Sequence, residues 1–239
     1  IGWQIDLYGS REWMEKGADL SLFAAEGLPV SVQLGLTALA LALVLGAVLG
    51  VIAALRQNSR IDYAVIAVAT FGITVPNFVV APVLSLVFAV MLGWLPAQGW
   101  GRWDQMILPV IALALPQVAV IARLIRGAMI EALRSDHVRT ARAYGLPARM
   151  VVIKHALRAA ILPAVSYLGP AAAALLTGSI VVEQVFNLPG IGRYFVQGAL
   201  NRDYTLVMGT VVIVAVFVVV FNLIVDLVYA WLDPRVRYD

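Results

Sequence analysis

The chain has 239 residues, 62% of them hydrophobic and 13% charged, with a formal net charge of +3 and a mean hydropathy of +0.91. An ordinary soluble domain carries about 25% charged residues, so a water-soluble globular enzyme is excluded and an integral membrane protein is expected. The lack of any cysteine rules out disulfides, thiolate metal sites, iron–sulfur clusters and a cysteine nucleophile.

Residues 1–29 form an acidic segment, with Asp6, Glu12, Glu15, Asp19 and Glu26 against Arg11 and Lys16. Residues 30–239 read as one transmembrane domain. A membrane helix needs about 20 largely apolar residues, and apolar runs with at most one charged residue place five spans at about 31–55, 63–92, 105–124, 159–182 and 205–232. Pro76, Pro82, Pro109, Pro116, Pro163 and Pro170 lie in or beside these runs and predict kinks. Continuous apolar blocks exclude a β-barrel, whose strands alternate over about ten residues.

Lysine and arginine orient the spans. Twelve of them (Arg56, Arg60, Arg123, Arg126, Arg134, Arg139, Arg142, Arg149, Lys154, Arg158, Arg235, Arg237) fall on one side of an alternating topology, and Arg11, Lys16, Arg102, Arg193 and Arg202 on the other. The positive-inside rule puts the segment 125–158 and the C-terminus in the cytoplasm. Residues 1–29 then lie outside, with no signal peptide to carry them. A first span is therefore expected to precede the given sequence; an acidic tail that crosses unaided is the alternative.

The segment 125–158 is too polar to span. Residues 131–144 contain no Gly or Pro and predict a helix, Gly145 a stop, and Pro147 a break before a second basic helix that runs into the span at Pro163. Leu133, Val138, Ala141 and Tyr144 fall on one face, and Arg139 and Arg142 share another. A basic loop on anionic lipid is one reading; a docking element for a cytoplasmic partner is the other, favoured by the sharp stop.

The residues Val138-Arg139-Thr140-Ala141-Arg142-Ala143-Tyr144-Gly145-Leu146, then Lys154-His155-Ala156-Leu157-Arg158 and Ile161-Leu162-Pro163, resemble the "EAA" coupling loop of ATP-binding-cassette (ABC) importer permeases. Further motifs follow in order: Gly178-Ser179-Ile180-Val181-Val182-Glu183, Phe186-Asn187-Leu188-Pro189-Gly190-Ile191-Gly192-Arg193, Asn201-Arg202-Asp203-Tyr204 and Leu232-Asp233-Pro234-Arg235. Together they resemble the B-type permease of the oligopeptide/dipeptide/nickel family. Arg139-Thr140-Ala141 stands where the general pattern has Glu-Ala-Ala, a departure that suits the peptide subgroup.

The resemblance implies an all-α, type I permease bundle in the bacterial inner membrane that moves peptides and catalyses nothing itself. The only lysines, Lys16 and Lys154, lie in no P-loop, so ATP and Mg are expected on partner subunits. The implied partners are a homologous C-type permease, two cytoplasmic ATPases, a periplasmic or lipid-anchored binding protein and membrane lipid; nucleic acid is not expected. Asp136, Val138, Arg139, Thr140, Ala141, Arg142, Ala143, Tyr144 and Gly145 are the expected coupling residues, with the two arginines meeting acidic groups. The segment 183–204 is expected to be re-entrant, with a helix over 194–200, and Asn187, Pro189, Gly190, Arg193, Asn201 and Arg202 are its candidates for binding-protein docking. Asn77, Thr177 and Ser179 are the candidates for the substrate pathway, Asn77 foremost because a proline kink frees polar backbone beside it. Asp226 is expected to pair with an arginine. An intramembrane hydrolase would need a histidine or paired aspartates on the spans. An ion-driven transporter would need repeats or several buried ionisable groups. The sequence has none of these features. His137 and His155 are too few for a closed zinc site. Nickel, glutathione and glycoside cargo remain alternatives to peptide.

Overall fold

A computed structural model describes the backbone of residues 9–232 and the side chains of 27–230, apart from those of Thr177 and Gly178. Most of residues 1–29 and the basic tail at Arg235 and Arg237 thus lie outside the residues whose side chains are described. Among the described residues nine helices follow one another: α1 (Gly9–Leu55), α2 (Arg60–Thr74), α3 (Asn77–Met91), α4 (Trp103–Arg134), α5 (Asp136–Ala143), α6 (Ala148–Ala160), α7 (Leu162–Val185), α8 (Ile191–Leu200) and α9 (Tyr204–Leu232). No strand occurs among the described residues. The stretch Gly27–Leu55 of α1, α4 and the stretch Tyr204–Ala230 of α9 are each long and apolar enough to cross a membrane.

The centre of the bundle is the packing of α1 on α4. Leu34, Ala38, Ala42, Gly46, Gly50 and Ala54 recur every four residues and all are buried. The i, i+4 period places them in one row along the helix, and small residues let two backbones approach closely where no water drives helices together. A Cβ on Gly50 would lie 3.0 Å from that of Ile125 and nearer still to the Ala122 carbonyl. Leu108, Ala112, Leu113, Ile121 and Ile125 of α4 complete this core with Leu175 and Val182 of α7. Tyr167 of α7 donates a 2.9 Å hydrogen bond to Gln117 Oε1 of α4.

The run 63–92 is not one straight span. It breaks at Pro76, where α2 and α3 meet at 105°, and Ser85–Met91 winds as a π-helix. Proline at 76 cannot continue the ladder of α2, and Val75 takes the extended conformation that precedes proline. α4 runs to Arg134, so residues 125–134, expected in a cytoplasmic segment, continue the helix of the third span. α6 and α7 meet at 47°. α9 matches the expected span 205–232 almost residue for residue. Its outer face and those of α2 and α3 carry the exposed apolar side chains, Val216, Val219, Phe71 and Val90 among them.

Candidate functional site

The bundle has two polar ends. At the basic end, the chain leaves α4 at Ser135, turns through the short α5, and returns through α6. The expected continuous helix over 131–144 breaks at Ser135, because Ser135 takes an extended conformation (φ −69°, ψ 156°) and its hydroxyl donates to the Ala132 carbonyl at 2.5 Å. Asp136 then begins α5, an acid favoured at the positive end of a helix. Gly145, at φ +72°, closes α5: its N–H donates to the Arg142 carbonyl, and that of Leu146 to the Ala141 carbonyl. Only glycine adopts this backbone freely.

α5 is anchored by two side chains. Val138 and Ala141 are buried against Ala54 of α1, Met129 and Ala132 of α4, and Val151, Ala156 and Ala160 of α6. Tyr144, expected on that same face, is instead 81% exposed. It is the C-cap residue, no longer helical, so the face of α5 does not extend to it. Asp136, Arg139, Thr140, Arg142, Ala143 and Gly145 are exposed as well. Arg139 Nη1 lies 3.4 Å from Asp136 Oδ1, both well solvated, and surface pairs of this kind contribute at most about 1 kcal/mol. The Thr140 hydroxyl donates back to the Asp136 carbonyl. The outcome is an eight-residue helix with a polar outer face and two apolar anchors.

A second basic-end contact was hidden in the sequence. Asp62, near the start of α2, is fully buried and accepts two hydrogen bonds from Arg126 of α4, at 2.5 and 2.7 Å. The Asn58 N–H adds a third at 2.9 Å, with Asn58 itself at φ 60°. The bidentate geometry is what makes guanidinium–carboxylate pairs directional. It ties the α1–α2 turn to α4.

At the far end, Glu183 closes α7. Its carboxylate is fully buried and accepts from the Ser31 hydroxyl at 2.7 Å and from the Gly192 N–H at 2.6 Å. Ser31 in turn accepts from the Ile191 N–H at 2.9 Å. The first turn of α8 is thus held onto α1 and α7 through backbone N–H groups that would otherwise lack partners. A Cβ on Gly192 would collide with the backbone of Ile180, and one on Gly190 with the Glu183 carboxylate and the Ser31 hydroxyl. α8 begins at Ile191, three residues before the expected Tyr194.

The remaining sequence candidates are distributed as follows. Asn187, Pro189, Arg193, Asn201 and Arg202 are exposed at the far end, whereas Gly190 is buried in the Glu183 cradle. Ser179 is buried in the same cradle and donates to the Leu176 carbonyl at 2.8 Å. The side chain of Thr177 lies outside the described residues. Asn77 stands at the Pro76 break, its Oδ1 buried with no hydrogen-bond partner among the described residues. Asp226 is exposed and forms no ion pair among the described residues, where an arginine partner was expected. No group of three or more acidic or histidine side chains suited to a metal occurs among the described residues.

The chain's relatives agree with this architecture. A family profile described as "Binding-protein-dependent transport system inner membrane component" matches residues 46–238. The oligopeptide transport system permease protein OppB of Haemophilus influenzae is 52% identical over 216 residues, covering 90% of this chain and 71% of that protein. The dipeptide transport system permease protein DppB of Bacillus subtilis is 47% identical over 211 residues, covering 88% of this chain and 68% of that one. A crystal structure of an amino acid ABC transporter with histidines superposes with a TM-score of 0.57 at 21% identity, over 93% of this chain and 97% of the other, a likeness of fold alone. The all-helical bundle with its α1–α4 core is therefore a type I permease fold, and the chain belongs to the family of binding-protein-dependent transport system inner membrane components.

Proposed function

We propose that this chain is the B-type permease subunit of an ABC importer that carries oligopeptides or dipeptides across the bacterial inner membrane. The observation that carries the coupling half of this reading is α5: a helix whose buried side chains are Val138 and Ala141, with Arg139 and Arg142 exposed. The cargo half rests on relatives named for oligopeptide and dipeptide transport at about half identity.

In this reading the basic end faces the cytoplasm, as does the C-terminus, and α5 fits a cleft on one of two ATPase subunits. Asp136, Arg139, Thr140, Arg142, Ala143 and Tyr144 form the contact. Val138 and Ala141 pass its movement to α1, α4 and α6, and Gly145 sets the turn. ATP and Mg bind on the ATPases, with no cofactor on this chain. At the far end a periplasmic or lipid-anchored binding protein docks near Asn187, Pro189, Arg193, Asn201 and Arg202, with Gly190 shaping the loop beneath them. Cargo passes between this subunit and a homologous C-type permease, near Asn77; Thr177 and Ser179 were proposed from sequence for the same path, and the burial of Ser179 suits it better to supporting the far-end cradle.

The test is assembly followed by uptake. The tagged chain, expressed with its neighbouring subunits and gently solubilised, is expected to co-purify with a second permease and ATPase subunits. Reconstituted with binding protein, the complex should take up radiolabelled trialanine in an ATP-dependent manner. Uptake of nickel, glutathione or a glycoside with no uptake of peptide would overturn the cargo, and purification of this chain alone would overturn the assembly.

A further inference from the structure

Arg123 is an exposed cation that the fold carries into the bundle's length rather than leaving at its basic end. The sequence places it at the very end of the third span, about 105–124, but α4 continues through it to Arg134. Its register is fixed by the neighbouring pair Arg126–Asp62, which sets position 126 of α4 beside position 62 of α2. Arg123 lies three residues farther from the basic end, about 4.5 Å along the helix. Its guanidinium then reaches farther still in that direction: Nη2 is 3.5 Å from the Thr70 hydroxyl, eight residues or about 12 Å along α2 from Asp62. An arginine among lipid tails turns its head toward the nearer interface. This one turns away from it.

The part of α2 it reaches carries two hydroxyls among apolar neighbours such as Ile73. Thr70 and Thr74 are one helical turn apart and exposed. Each hydroxyl donates its proton to its own helix, Thr70 to the Ile66 carbonyl and Thr74 to the Thr70 carbonyl, both at 2.8 Å. Their oxygens are left free to accept, and Arg123 uses the first. Beyond Thr74 the helix breaks at Pro76, where the Asn77 amide oxygen is the buried acceptor without a described partner. No acidic side chain pairs with Arg123 among the described residues. An exposed, unpaired guanidinium on a helix apolar enough to cross a membrane is costly unless it faces water or an anion.

Resting on the peptide reading above, we propose that Arg123, with Thr70 and Thr74, lines the aqueous translocation path and receives the C-terminal carboxylate of the passing peptide. Guanidinium offers a planar, charge-assisted match to carboxylate. Because the site is partly hydrated, it holds the carboxylate long enough to orient the chain without trapping it.

Two measurements test this. The chain has no cysteine, so Thr70→Cys and Thr74→Cys each give a single reporter on this chain, read on its own band from the assembled importer in proteoliposomes. Both should react with a charged methanethiosulfonate reagent, and a Val216→Cys reporter on α9 should not. Unreactive cysteines at 70 and 74 would mean a dry face and would overturn the path. Second, Arg123→Gln should lower uptake of trialanine at least about tenfold, the weight of one charge-assisted hydrogen bond. Uptake of trialanine amide, at matched binding-protein occupancy, should be nearly unchanged, and Arg123→Lys should recover part of the loss. An equal fall for both peptides, or none for either, would overturn the carboxylate role. Failure of the unmutated complex to carry trialanine would sink the peptide reading and the carboxylate role with it, while cysteine reactivity would still report whether the face is wet.

Discussion

At the far end of the bundle α1, α7 and α8 meet around one buried carboxylate; at the basic end α5 rests on a pad of alanine, valine and methionine. The far end is directional. Glu183 accepts from Ser31 and Gly192 at 2.7 and 2.6 Å, and glycines at 190 and 192 leave no room for a side chain. A small displacement there would leave buried hydrogen-bonding groups without partners, which is costlier than losing an apolar contact. The basic end is non-directional. Val138 and Ala141 are held by dispersion and burial, which change little when the contact slides by a fraction of an ångström. One end is built to keep its geometry, and the other to be gripped from outside and to pass the movement on.

That contrast is broken most sharply on the exposed face of α5. Arg139→Glu with Arg142→Glu should leave the chain folded and in the membrane, since both side chains are solvated. If each arginine makes one charge-assisted contact to an ATPase, the pair is worth about 3–6 kcal/mol of coupling. ATP-driven uptake should fall by roughly a hundredfold or more, while thermal stability of the solubilised subunit stays level. Normal uptake by the double variant would remove α5 from the coupling path.

Glu183→Leu should do the reverse. It leaves the Ser31 hydroxyl and the Gly192 N–H without their acceptor, at about 1–3 kcal/mol each, so a loss of about 3–5 kcal/mol is expected in thermal unfolding in detergent. Glu183→Gln keeps an acceptor oxygen and should cost less than Glu183→Leu. If both variants unfold like the parent, the cradle is not what holds α8. Asp62→Asn comes next. A fully buried pair broken on one side costs about 3–5 kcal/mol, but Arg126 keeps some access to water, so about 2 kcal/mol is expected. The same unfolding measurement reads it, and an unchanged midpoint would show that the α1–α2 turn is held by other contacts.

How much of this was legible depended on whether a feature is local. The span of α9 is an apolar run broken only by Asn222 and Asp226, so its extent follows from composition. The stop at Gly145 follows from a residue type that tolerates positive φ. The break at Pro76 was legible as a kink, but its 105° angle depends on what α3 packs against. Ser135 gave no warning, because serine is an ordinary helix residue until its hydroxyl takes a carbonyl of its own helix. Glu183 stood inside a recognisable motif, yet its partner Ser31 lies 152 residues away. Arg126 is expected in the cytoplasmic segment and Arg123 at its border, because charge marks the end of a span. The acid that lets α4 continue through Arg126 is on another helix, where no sequence window sees it.

The smallest effects test how lightly α5 is anchored. Val138→Ala removes a branched side chain from a fully buried position, and about 1–2 kcal/mol of stability should be lost with it. Tyr144→Ala, at an exposed cap, should stay within about 0.5 kcal/mol. Measured together in the assembled importer, the two should separate cleanly. If α5 transmits movement through its anchors, Val138→Ala should lower uptake per ATP hydrolysed even where its stability loss is offset by low temperature. Tyr144→Ala should change that ratio only if the tyrosine itself enters the ATPase cleft. A Val138→Ala variant that is less stable but fully coupled would mean that the Ser135 and Gly145 turns, not the apolar pad, carry movement into α4 and α6.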